Sequence, residues 1–281
     1  MVEKVSKKRL DVYIHDNGLA ESREKAKVLI MEGKVYVNGQ KEDKPGTMIK
    51  DDAIVECKTS TMQYVSRGGY KIEKAADAFK IDFTDMMCAD IGSSTGGFTD
   101  YMLKNGAKLV YAIDSGTNQL DYRLRIDKRV VTLENTNARY LTPDIIRDTP
   151  LDIVTIDVSF ISLTMIIPVA MSILKEDGKI LMLIKPQFEA GKEKVGKNGV
   201  VKDKLVHIEV VKTIIDFCYK INLNIEGLDY SPIKGPAGNI EFLLYVSKRH
   251  PDGSFFSHES SQYNDEHIKE IVECAHAELD K

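Results

Sequence analysis

Asp90, Asp114, Asp157 and Lys185 each close a short apolar run, and the first of them opens the stretch Asp90-Ile-Gly-Ser-Ser-Thr-Gly-Gly-Phe-Thr-Asp100. That order reads strand, tight turn, helix, which is how open α/β sheets build nucleotide-type sites. Glycines let the backbone approach a ligand closely, and the new helix points free N–H groups at it. A phosphate-cradling loop needs Gly-Lys-Ser/Thr at its end, but Gly96-Gly97-Phe98 has no lysine. A dinucleotide fingerprint needs G-x-G-x-x-G, yet Gly92 is followed by Ser93 and Ser94. An acid before the turn and a second at Asp114 suit S-adenosylmethionine better. Its ammonium and ribose hydroxyls both call for carboxylates, and it carries no pyrophosphate. A purely structural strand–helix turn is the competing reading of the loop alone.

Ligands of open parallel sheets bind at the carboxyl ends of the strands. Four strand ends bearing charge on that one edge are hard to explain as helix caps. Asp157 and Lys185 leave adjacent strands if the strand order is the usual doubly wound one. Such a pair is either a structural ion bridge or a lysine held by an aspartate to activate a substrate hydroxyl. A free lysine titrates near ~10.4, so desolvation or a second cation must act on it before it serves as a base. Lys71 is a candidate for that second cation. It falls in the first turn of a helix opened by Ser66-Arg-Gly-Gly-Tyr-Lys71, where the dipole offers a lysine nothing. It lies about 100° from Ile72 on the wheel, so the pattern does not require its burial.

The chain supplies elements to hold these residues. From residue 66 on, strands and helices alternate, with strand ends at Asp90, Asp114, Leu133, Asp157 and Lys185. Gly178 reads as the end of the helix before the last of these, and Asp203 as a helix cap. The stretch before residue 59 is different in kind. Ser6 reads as the cap of a helix with Leu10, Tyr13 and Ile14 inward, and Ser22 as the cap of a second. Val35-Tyr-Val37, the turn pair Asn38-Gly39 and Ile54-Val55 then read as short strands. Arg9, Arg23, Lys27 and Lys34 leave a basic face on this unit. The loop of residues 190–199 carries Lys192, Lys194 and Lys197 and reads as a basic lid. After residue 250 a polar spacer leads to a helix with Ile268, Ile271, Val272 and Ala275 on one stripe, read as packing on its own domain.

Composition sets bounds. The 281 residues, 43% apolar and 29% charged, describe a soluble globular chain of one larger and one smaller domain. A net charge of −4 means that any nucleic-acid site is a local patch. The four cysteines are far apart and read as reduced thiols, without C-x-x-C or a metal-ligand cluster. No apolar stretch approaches the ~20 residues of a membrane span, and the start does not read as a signal peptide. The cytoplasm is the expected location, and no metal is expected.

Two resemblances sharpen this reading. Residues 7–57 resemble the RNA-binding domain first seen in ribosomal small-subunit protein four, through Arg9-Leu-Asp, Ser22-Arg-Glu-Lys-Ala26 and Gly33-Lys-Val-Tyr-Val-Asn-Gly39. Over 7–248 the chain resembles the haemolysin-A-type (TlyA) ribosomal RNA 2′-O-ribose methyltransferases, whose catalytic domain is FtsJ-like. The carrying motifs are Val65-Ser-Arg-Gly-Gly-Tyr-Lys71, the glycine stretch, Asp157-Val-Ser-Phe-Ile-Ser162, Ile184-Lys-Pro-Gln-Phe-Glu189 and Gly235-Pro-Ala-Gly-Asn-Ile-Glu241. Departures are Tyr70 in place of a histidine, and Gln63-Tyr64 where a proline and an aromatic usually stand. The helix after residue 250 has no counterpart in the resemblance.

The resemblance implies an α/β class I methyltransferase, with a doubly wound, mostly parallel seven-stranded sheet preceded by a small α+β RNA-binding domain. Expected boundaries are 1–59, a linker at 60–64, the methyltransferase domain at 65–250 and a tail at 251–281. It implies a catalytic tetrad at Lys71, Asp157, Lys185 and Glu241. It also implies S-adenosylmethionine at Asp90, Gly92, Ser94, Gly96, Gly97, Phe98, Asp114 and Asn137, and RNA at Arg9, Arg23, Lys27 and Lys34. The expected reaction is 2′-O-methylation of a ribosomal RNA cytidine, with ribosomal RNA or ribosomal subunits as partner and the oligomeric state open. The rival classes are a haemolysin acting directly on membranes and an RNA-binding protein without catalysis.

Overall fold

The computed structural model describes residues 7–57, 63–147, 149–248 and 262–280. The chain divides into two compact units, Met1–Met62 and Gln63–Lys281. The cap read at Ser6, most of the linker and the spacer after residue 250 lie outside the described residues.

In the first unit, β1 (Lys7–Arg9) is followed by α1 (Leu10–Asp16), α2 (Arg23–Met31), β2 (Val35–Val37), β3 (Gln40–Glu42), β4 (Met48–Lys50) and β5 (Val55–Cys57). Leu10, Ile14, Ala26, Ile30, Val35 and Ile49 form its buried centre. Asn38 and Gly39 both take positive φ (49° and 78°), which twists the β2–β3 hairpin the way two-residue turns require. The first helix starts later than its sequence suggests. Residues 7–9 are extended because they pair with Met48–Lys50, a partner some 40 positions away that local periodicity does not reveal.

The second unit comprises α3 (Gly68–Phe79), β6 (Met87–Ile91), α4 (Gly97–Lys104), β7 (Leu109–Ile113), α5 (Tyr122–Arg125), β8 (Val130–Leu133), β9 (Leu151–Ile156), α6 (Leu163–Ser172), β10 (Leu174–Ile184), α7 (Pro186–Glu189), α8 (Lys204–Lys220), β11 (Asn224–Tyr230), β12 (Phe242–Ser247) and α9 (Asp265–Leu279). They build one seven-stranded sheet in the order β11-β12-β10-β9-β6-β7-β8. All neighbours pair in parallel except β12, which runs antiparallel to both β10 and β11. The chain winds outward from β6 through β7 to β8, then returns to β9 on the other side of β6. The switch point, where such sheets open a crevice, therefore falls between β6 and β9.

Gly178 does not end a helix. α6 stops at Ser172, and β10 has already begun to pair at Leu174 before a register shift that ends at Lys179. A Cβ at Gly178 would stand 2.9 Å from Leu174 Cδ2 and 3.0 Å from the Lys175 carbonyl, so the glycine serves the close approach inside this irregularity. α9 docks on its own unit as expected, with Ile268, Val272 and Ala275 buried in the same cluster as Val211 and Ile215 of α8.

Candidate active site

α3 lies across the sheet because Ile72, Ala75 and Ala76 face inward and Phe79 stacks on Tyr245, with ring centroids 5.8 Å apart. Its N-terminal end is anchored where the Val65 N–H donates to Asp100 (2.9 Å). Tyr64, one of the departures from the resembling family, packs its ring on Gly69 and donates its hydroxyl to Glu73 (2.7 Å). The outcome is that Lys71 is buried, only 7% exposed. The helical wheel alone did not require this.

β9 and β10 are neighbours, so Asp157 and Lys185 emerge side by side. Glu241 joins them because β12 is antiparallel: Phe242 pairs with Ile184, so β12 starts at the edge where β10 ends. Lys71 Nζ lies 2.6 Å from Glu241 Oε2 and 3.7 Å from Asp157 Oδ2, and Lys185 Nζ lies 2.6 Å from Asp157 Oδ1. Lys185 also donates to Ser159 Oγ at 3.3 Å. Among the described residues no aligned hydrogen bond reaches Asp157 Oδ1, so that oxygen keeps acceptor capacity. Burial alone would lower the Lys71 pKa, but Asp157 and Glu241 outweigh it and hold it above its ordinary 10.5. Lys71 is therefore a fixed cation and not a base.

Two adjoining cavities meet at these residues. The larger, of about 760 Å³, is lined by Gly92, Ser94, Asp114, Asn137, Phe160 and Phe188 among others. The smaller, of about 300 Å³, is lined by Lys71, Asp90, Gly97, Phe98, Asp157, Lys185 and Glu241 among others. Gly92, Ser94, Asp157 and Ser159 line both. Asp114 accepts from the Ser94 N–H (2.8 Å) and the Gly116 N–H (2.7 Å), which ties the loops after β6 and β7 together.

Asp90 works from beneath. Its oxygens accept from the Thr99 N–H and hydroxyl (3.0 and 2.7 Å) and from the Thr155 hydroxyl (3.2 Å), which anchors the first turn of α4. Burial, with Asp157 nearby, pushes its carboxyl up to about 7 against those bonds. Gly96 (φ +94°) is turned towards Leu124 and Leu120, which its Cβ would meet at 2.3 and 2.8 Å, and lines neither cavity.

A Cβ on Gly97 would fall 2.4 Å from Ser66 Oγ and 2.8 Å from the Gly69 nitrogen. Gly97→Val therefore wedges α3 away from α4. The expected result is a loss of about 1–3 kcal/mol of stability, as for overpacked cores, together with displacement of Lys71. Urea unfolding that leaves this variant as stable as the native protein would contradict the packing.

In the first unit, Arg9 and Arg23 converge on the buried Asp11, donating at 3.0 and 3.1 Å. The bond from Arg9, then that from Arg23, holds the Asp11 carboxyl down at about 2 despite its burial. Both arginine side chains keep about half their surface, 46% and 45%. Lys27 lies 3.9 Å from Glu24 and Lys34 2.7 Å from Glu32.

Residues 64–248 match the model of the FtsJ-like methyltransferases. The chain belongs to this family. Residues 8–55 of this FtsJ-like methyltransferase match the S4 domain. A candidate rRNA methyltransferase of Bacillus subtilis, YqxC, is 49% identical over 97% of this chain and 95% of its own. The 16S/23S rRNA (cytidine-2′-O)-methyltransferase TlyA of Mycobacterium tuberculosis is 41% identical over 85% of this chain and 89% of its own. The solved structure of a candidate hemolysin from Streptococcus thermophilus superimposes with a TM-score of 0.72 at 44% identity, covering 98% of both chains. Coverage at that level extends the likeness past residue 248, into the helix for which the motifs alone found no counterpart. Among the described residues no helix is long and apolar enough to cross a membrane.

Motif reading passed over the aromatic pair at the mouth of the larger cavity. Phe160 is 90% exposed on a left-handed backbone (φ +64°), and its ring lies 4.9 Å from that of Phe188. The signal was present: each phenylalanine follows its strand-end charge, Asp157 or Lys185, by the same spacing.

Proposed function

We propose that this FtsJ-like methyltransferase transfers a methyl group from S-adenosylmethionine to the 2′-hydroxyl of a ribosomal RNA ribose, the chemistry that names the M. tuberculosis relative. The observation that carries the reading is the buried Glu241–Lys71–Asp157–Lys185 array opening into a small cavity beside a larger one. A base nitrogen brings its own lone pair to methylation, whereas a hydroxyl must lose a proton, and an amine held by a carboxylate serves that need.

The larger cavity fits the cofactor in size and in donor set. Each oxygen of Asp114 spends one acceptor direction on a backbone N–H and keeps another for a ribose hydroxyl. Asp114 and Asn137 would hold the nucleoside, and Gly92 and Ser94 the part nearer the smaller cavity. When bound there, S-adenosylmethionine supplies a methyl already activated on sulfonium. Lys185, once its own proton has passed to solvent, is placed to accept the 2′-hydroxyl proton, and Asp157 holds the ammonium that then forms. Lys71, a fixed cation clamped by Glu241, keeps Asp157 in place from the other side. Phe160 and Phe188 offer a stacking face for an unpaired base, so that the ribose attached to it can enter the smaller cavity. With ribosomal RNA as substrate, the place of action is the cytoplasm.

The test is to incubate the protein with methyl-labelled cofactor and ribosomes lacking the modification, then digest the RNA in alkali. A 2′-O-methyl group blocks cleavage at its own linkage, so the label is expected in alkali-resistant dinucleotides. Label in mononucleotides would sink the ribose assignment.

For the S4 unit, we expect Lys27 and Lys34 to contact phosphate. Replacing both by Gln should flatten the salt dependence of RNA binding by up to about 0.7–0.9 in slope for each phosphate no longer neutralised. Arg23 is the wrong residue for this test, because its removal also strips the buried Asp11 of a partner. An unchanged slope in the double lysine variant returns both residues to ordinary solvated ion pairs.

A further inference from the structure

α9 buries an amphipathic stripe, but its polar side carries a second set of contacts. His207 of α8 is fully buried and His276 of α9 nearly so, and His207 Nδ1 lies 2.9 Å from His276 Nε2. His207 Nε2 lies 3.1 Å from the Val201 carbonyl, and His276 Nδ1 lies 2.7 Å from Asp280 Oδ2. The other Asp280 oxygen accepts from Lys234 at 2.7 Å. From Val201 the path continues: its N–H donates to Asn239 Oδ1 (2.9 Å), and the Asn239 carbonyl accepts from the Gly235 N–H (2.9 Å). Gly235 adjoins Lys234, so the circuit closes on itself.

Its polarity follows from the end groups. A carbonyl only accepts, so His207 donates through Nε2, and burial, which disfavours a second proton on the ring, leaves the Nδ1 lone pair facing His276. His276 must then donate through Nε2 to His207 and through Nδ1 to Asp280. Burial first, then the His276 charge, holds the His207 pKa down at about 4.

The circuit grips the loop that carries a tetrad residue. Lys234, Gly235 and Glu241 all line the smaller cavity. A Cβ on Gly235 would stand 2.5 Å from Glu241 Oε1, so the glycine backbone is the wall against which that carboxylate rests. We propose that α9 is a positioning element of the methyl-transfer site, with His276 and Asp280 fixing the 231–241 loop and through it the Glu241 carboxylate. This rests on the role proposed above for Glu241. Neither residue lines either of the two cavities of the site, so both act as positioning residues.

His276→Phe fills the space and removes both donors, and Asp280→Asn weakens the half-exposed end of the circuit. Both variants are expected to slow single-turnover methylation of ribosomes about ten- to a hundredfold, the scale of a small misplacement acting at a distance. Cofactor affinity should stay within about twofold, since Asp114 and Asn137 are not in the circuit. Asp280→Glu should recover most of the rate. In a Glu241→Gln background the same two substitutions should cost less than about twofold, because the group they position is already gone. Equal fold losses in both backgrounds, native rates for both variants, or failure of both to fold assign α9 a structural role only and overturn the proposal. A native protein that moves no methyl to ribosomal RNA overturns the function itself, and this proposal with it.

Discussion

Lys185→Ala is expected to lose about 10²- to 10⁴-fold in methyl-transfer rate, the usual worth of a positioned general base, and to bind cofactor as the native protein does. Lys185 lines the smaller cavity only, so its contribution falls on the reacting hydroxyl and not on cofactor binding. Its removal does not strand Asp157, because Lys71 remains 3.7 Å from the other carboxylate oxygen. The melting temperature should therefore fall only slightly. Lys185→Arg should fail nearly as badly in rate, since guanidinium stays protonated and cannot accept the proton. A merely structural ion bridge predicts the reverse pattern: a large loss of stability on Ala, and recovery of stability and rate on Arg. Single-turnover methylation and thermal unfolding on the same variants separate the two. A folded Lys185→Ala protein that methylates at near the native rate ends the mechanism.

Lys71→Met is expected to show the largest loss of stability of any change at the site. Glu241 is 1% exposed, and its only ion-pair partner among the described residues is Lys71. Breaking a buried pair on one side typically costs about 3–5 kcal/mol. The double variant Lys71→Met/Glu241→Gln should recover most of that loss in urea unfolding, because no bare charge is left, yet remain inactive. Similar instability of the double variant would show that Lys71 contributes through packing instead. The folded state also holds the Lys71 proton more tightly than the unfolded chain does. The pair's contribution is therefore complete below the ordinary lysine value of 10.5 and disappears as pH rises through the higher folded value.

What the sequence could show of this site divides along a physical line. Asp114, Asp157 and Lys185 were legible because each follows the last residue of an apolar strand, and all parallel strands present that end on one edge; Asp90, read the same way, lies inside β6, one residue before its end. Glu241 sits at the other end of its strand and shares the edge only because β12 alone is reversed. Local pattern does not carry strand direction, so Glu241 came from resemblance. The burial of Lys71 depends on where α3 crosses the sheet, which is decided by Phe79 on Tyr245 and by the bare backbone at Gly227. Gly97 lines the smaller cavity, but what a side chain there would meet first is Ser66 Oγ and then Gly69 of α3, 31 and 28 positions earlier. Arg23 looks like an exposed charge on α2, whereas Asp11, its partner, lies on α1. Each of these depended on a neighbour distant in sequence.

The Lys71–Glu241 bridge has a consequence for the order in which the protein is made. The bridge spans 170 positions, whereas the Val65–Asp100 bond that anchors the same helix spans 35. Chain-closure entropy makes the longer loop about 1.4 kcal/mol costlier to form, so α3 settles on α4 before the bridge closes. Domains generally fold as units, and both ends of this bridge belong to the second unit. The Lys71–Glu241 bridge is therefore complete only after residue 241 has been made and β12 has paired antiparallel with β10.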